Sequence, residues 1–101
     1  MKEMFETLMS INGDVKVERC EGEYDSKFGV YYDKTDNGWR ATDKYTGRAI
    51  ASKKATKKEC QNSMKAVIEQ LNAKRNEEKY LQAVINFNEL KEEALSNEFP
   101  F

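Results

Sequence analysis

Hydrophobic and polar positions follow two periods along this chain. Met4, Phe5, Leu8 and Met9 fall on one helical stripe and predict a short helix over residues 2–10, stopped by Asn12-Gly13-Asp14. Val15 and Val17 then alternate with Lys16 and Glu18, the period-2 signature of a strand over about 15–20. Glu21-Gly22-Glu23 with Asp25-Ser26 reads as a loop. Beyond it Phe28, Val30 and Tyr32 alternate with Gly29, Tyr31 and Asp33. Asp36-Asn37-Gly38 supplies a hairpin turn, because Asn-Gly accepts the positive φ values of a type I′ turn. Trp39, Ala41 and Tyr45 alternate with Arg40, Thr42 and Lys44. Thr46-Gly47 turns the chain again, and residues 48–52 form a last strand with Ile50 inward.

Strand side chains alternate between faces. One face of this meander therefore carries Val15, Val17, Phe28, Val30, Trp39, Ala41 and Ile50 and needs cover. The other carries Tyr31, Arg40, Thr42, Lys44 and Lys53 and is expected to face solvent.

Helical spacing takes over at Thr56-Lys57-Lys58-Glu59, a capping box in which a Thr hydroxyl and a Glu carboxylate satisfy exposed N–H groups. Cys60, Met64, Val67, Ile68 and Leu71 form the apolar stripe of the helix that follows. A break is expected near Asn76, with one continuous helix to about residue 95 as the alternative. Tyr80, Leu81, Val84, Ile85, Phe87 and Leu90 make a second stripe. The expected fold is α+β: a short N-terminal helix, a three- to four-stranded antiparallel meander, and two C-terminal helices on one sheet face. Residues 1–95 make a single domain and 96–101 a tail, since Pro100 cannot extend a helix.

A length of 101 residues fits one domain, and eleven aromatic residues give it a core to bury. Cys20 and Cys60 are too few for a disulfide scaffold and fit a reducing compartment. No stretch approaches the ~20 apolar residues of a membrane span, and no signal-type apolar run opens the chain. The expectation is a cytoplasmic protein without membrane contact.

Charge adds what the pattern does not show. The formal net charge is −1, but residues 27–58 carry a net of +6 between acidic flanks of −4 and −3. Such segregation sets up a local positive field that the overall balance hides. Catalytic signatures are missing. There is no His, which removes His-based triads and metal sites. The five glycines make no phosphate-binding loop, and the paired glutamates Glu77-Glu78 and Glu92-Glu93 point about 100° apart on a helix. The sequence predicts no enzyme, no cofactor and no metal.

The basic segment is thus the candidate site, with Tyr31, Arg40, Thr42, Lys44, Arg48, Lys53, Lys54 and Lys57 as nucleic-acid-binding residues. Trp39-Arg40 on a middle strand, Thr46-Gly47-Arg48 at a turn and Ala55-Thr56-Lys57-Lys58-Glu59 at a helix start carry a resemblance. Over residues 28–71 the chain resembles the sheet-type DNA-binding domain at the N-terminus of phage integrases (tyrosine recombinases). The resemblance implies a DNA-binding module of phage or mobile-element type that lays an exposed sheet face in the major groove. Ser52-Lys53-Lys54 before a helix is also faintly similar to double-stranded-RNA-binding domains. The competing expectation is a phage-encoded inhibitor or regulator of host machinery, of the anti-CRISPR kind. It would engage a host nucleic-acid-binding protein through acidic surfaces, and Tyr80, Leu81, Val84 and Phe87 would form a homodimer interface.

Overall fold

The computed structural model describes the backbone of residues 2–98 and their side chains except those of Ile11 and residues 95–98. Five strands precede two helices: β1 (Lys2–Ile11), β2 (Asp14–Asp25), β3 (Val30–Thr35), β4 (Gly38–Asp43), β5 (Ala49–Lys54), α1 (Lys57–Arg75) and α2 (Glu78–Glu98). The strands form one antiparallel sheet in the order β1-β2-β3-β4-β5.

The expected N-terminal helix is a strand, and the sheet has five strands rather than three or four. Asn12 and Gly13 do not stop a helix. With φ of 53° and 85° they form a two-residue hairpin loop that pairs Ile11 with Asp14. Pairing then runs unbroken to Lys2 opposite Glu23. Met4 and Leu8 go to one face and Phe5 and Met9 to the other, so the apparent helical stripe is split in two. The residues expected as a loop after residue 20 belong to β2, which continues to Asp25.

This β1–β2 hairpin folds over the rest of the sheet. Phe5 stacks on Tyr31 of β3, with ring centroids 4.7 Å apart. Leu8 N–H and Thr7 Oγ1 both donate to the Gly47 carbonyl between β4 and β5, at 2.8 and 3.0 Å. Gly22 permits the curl: a Cβ there would sit 2.5 Å from the Tyr32 carbonyl and 2.9 Å from the Phe5 ring. Val15, expected inside, lies near the hairpin tip and is exposed, and Val17 is half-buried.

The opposite sheet face receives α1. Phe28, Val30, Tyr32, Ala41, Cys60 and Met64 form the core, with Trp39, Ile50, Val67 and Ile68 packed at its margin. Thr56 caps α1 by accepting from Glu59 N–H at 3.2 Å, and the Glu59 carboxylate reaches back to Ala55 N–H at 3.0 Å. The helix ends at Asn76, so the two-helix expectation holds there. α2 runs to Glu98, three residues into the expected tail, and residues 99–101 lie outside the described residues. Phe87, 1% exposed, anchors α2 against Gly47.

Candidate nucleic-acid interface

The curl of β1 over β3 and β4 decides the fate of the expected basic face. Tyr31 is covered by the Phe5 ring. Thr42 has no exposed surface, and its hydroxyl has no partner among the described residues. Arg40 forks onto Asp33, with Nε and Nη2 donating to the two carboxylate oxygens at 2.8 and 2.9 Å. That carboxylate raises the guanidinium's proton affinity further, against the opposing effect of burial. Arg40 Nη2 also donates to Cys20 Sγ at 3.2 Å. The three residues expected to read DNA from an open sheet are packed within the protein. Alternation showed that they share a face; it did not show that another strand lies on it.

The remaining expected residues fall in two places. Lys44 is exposed and lies over Tyr24, its Nζ 4.9 Å from the ring centroid. Arg48 is exposed in the β4–β5 loop. Both sit at the end of the sheet where α1 finishes. Lys53, Lys54 and Lys57 gather at the other end, around the start of α1.

There the register builds a row that the spacing alone did not identify. Lys34 of β3 pairs with Trp39 of β4, and Trp39 pairs with Lys54 of β5. Directly paired residues share a face, so the indole stands between two lysines, each one strand spacing away, roughly 5 Å. Trp39 leans on the core and is only partly buried. Gly38 makes the row possible. At φ 118° it lets β5 approach so closely that a Cβ would lie 2.8 Å from the Lys54 carbonyl. Lys53 and Lys58 are exposed at the same end of the sheet, but Lys53, at a left-handed φ of 58°, lines a cavity on the opposite face with Glu18, Asp36 and Arg40.

Among the described residues, no carboxylate lies within 4.0 Å of Lys34, Lys53, Lys54 or Lys58. Lys57 is different. It pairs with Glu23 of β2, which holds that carboxyl below its ordinary value, and its Nζ lies 5.9 Å from the Tyr32 ring centroid. Lysines at a helix N-terminus oppose the helix dipole, so Lys57 and Lys58 do not serve α1 itself. Lys34 is the member that sequence reading missed. It was one cation among nine in the basic segment, and only the β3–β4 register places it beside Trp39.

Other clusters are structural. Asp43, 2% exposed, accepts from Thr46 Oγ1 at 2.8 Å, Arg75 Nη2 at 3.0 Å and the Tyr80 hydroxyl. Arg75 also donates to the Phe28 carbonyl at 2.8 Å, so this network ties the helix junction to the sheet. Burial raises the Cys20 and Cys60 thiols above their ordinary value, which disfavours the reactive thiolate. No group of His, Cys, Asp and Glu able to hold a metal occurs among the described residues, and none of their helices is long and apolar enough to cross a membrane.

The residues expected at a dimer interface divide. Tyr80 is engaged with Asp43, Val84 is half-buried and Phe87 faces inward. Leu81 is 53% exposed, and Ile85, one turn on, is 50% exposed.

β3, β4, β5 and α1 follow one another in that order, and β1 lies over the sheet face that carries Tyr31. No family model, curated protein or solved structure matches this chain.

Proposed function

We propose that this protein is a non-enzymatic nucleic-acid-binding module, of the phage or mobile-element kind, that holds the phosphate backbone with the lysines around Trp39. The observation that carries this reading is the Lys34–Trp39–Lys54 row, at the end of the sheet where Lys53 and Lys58 are also exposed, with none of the four lysines in an ion pair among the described residues of a chain of net charge −1. Uncompensated lysines repel one another, and a polyanion relieves that repulsion while releasing its own counterions.

Fluorescence anisotropy with a labelled DNA oligonucleotide tests the reading. Four phosphate contacts predict that affinity falls about 50-fold or more between 50 and 200 mM salt. Lys53→Ala with Lys54→Ala should remove most of the binding while leaving the circular dichroism spectrum unchanged. Salt-independent binding, or full binding by the double variant, would refute the proposal.

A second reading rests on the exposed Leu81 and Ile85 of α2. Flanked by the exposed acids Glu78 and Glu89, they fit a protein partner with a basic rim, the inhibitor-type function. Loss of a host-protein complex on Leu81→Ser with Ile85→Ser, with the complex resistant to nuclease, would favour it.

A further inference from the structure

Resting on the reading of the lysine end as the nucleic-acid site, we infer that its ligand is single-stranded, with one unpaired base stacked on Trp39 between Lys34 and Lys54. The side chains present at this end set the class of ligand. Readout of base edges in a duplex groove relies on planar forked donors, above all arginine. Neither candidate arginine can supply that fork here. Arg40 is held by both oxygens of Asp33, and Arg48 precedes β5 at its opposite end. What the lysine end offers is a set of point charges around one aromatic ring.

Point charges with a ring make a backbone clamp with a stacking platform, which suits a strand whose base faces are free. A duplex hides those faces within its own stack. Trp39 has the needed placement. It is fixed by the core along one side and partly open, and its cross-strand neighbours on both sides are lysines. A base on the indole puts its flanking phosphates within reach of the two lysine stems. Lys58, exposed in the first turn of α1, adds a further positive charge at this end of the sheet. The resulting contact tolerates any base, since every base has a π-face.

The chain's single tryptophan reports on this directly. Oligo-dT of about twelve nucleotides, within the range one small domain covers, is titrated into the protein. Intrinsic fluorescence and the anisotropy of a labelled copy are then followed together. The inference predicts quenching of Trp39 that saturates at the same oligonucleotide concentration as the anisotropy, and weaker binding of the corresponding duplex. Trp39→Phe should keep affinity within about threefold, whereas Trp39→Leu should lose tenfold or more, as expected for one stacked base. The quenching measurement needs no variant, so a Leu variant that folds poorly leaves the test standing. Oligonucleotide binding with unchanged Trp39 fluorescence, or tighter binding of the duplex, overturns the stacking inference and leaves the lysine site intact. Absence of binding to both probes overturns the site itself.

Discussion

Phe5 of β1 lies nearly parallel to Tyr31 of β3, their planes 5° apart and their centroids separated by 4.7 Å, although β2 stands between their strands in the sheet. Two strands that are not neighbours touch face to face only when the sheet is rolled. Phe5, 3% exposed, is therefore a main clamp on the curl. Phe5→Ala should destabilise the protein by roughly 3–5 kcal/mol, the range for a buried aromatic truncation. Urea denaturation checks the value, and Phe5→Leu should cost clearly less.

Arg40 and Asp33 supply a second prediction. Their side chains are 19% and 8% exposed, so removing the guanidinium leaves a nearly buried carboxylate without its partner. Arg40→Ala should cost roughly 3 kcal/mol of stability. The folded variant should bind oligonucleotide with unchanged affinity, because Arg40 lies on the sheet face opposite the Lys34–Trp39–Lys54 row. A large loss of affinity in a variant that stays folded would return Arg40 to the interface.

Gly47 is constrained twice. Its φ is 68°, and a Cβ would lie 2.4 Å from the Phe87 ring. Gly13, at φ 85°, would meet nothing within 4 Å. Gly13→Ala should show the backbone effect alone, about 1 kcal/mol. Gly47→Ala should exceed it by at least another 1 kcal/mol, since Phe87 must shift and loosen α2. Thermal melts of the two variants give the comparison, and amide exchange in α2 should rise only for Gly47→Ala.

Tyr80 gives the protein a defined alkaline limit. Burial, and donation of its hydroxyl to Asp43, raise its pKa above the ordinary 10.0 despite the nearby Arg75. A group whose pKa is raised on folding stabilises the fold fully below its unfolded value and less as pH rises past it. Tyr32 is raised in the same direction by burial and its bond to Asp25. Stability should therefore be flat with respect to these groups up to about pH 10 and fall above it. Tyr80→Phe should reduce the slope of that fall, measured by denaturant midpoints at several alkaline pH values.

Local chemistry alone specified much of this protein. The Thr56-to-Glu59 cap, the α1 stripe, the break at Asn76 and the three strands before α1 follow from hydrogen-bonding groups and side-chain periods a few residues apart. Expecting a basic site at the lysines near α1 needed only the charge count. Tertiary structure decided the rest, because it depends on what meets what. Asn12-Gly13 is compatible with either a helix stop or a hairpin loop, and partnership with β2 selects the hairpin. Alternation assigned Tyr31, Arg40 and Thr42 to one face, but only the rolling of β1 over that face, permitted by the missing side chain at Gly22, took it away from solvent. Lys34 joined Trp39 and Lys54 for the same reason: strand register is a long-range property, fixed by pairing and packing.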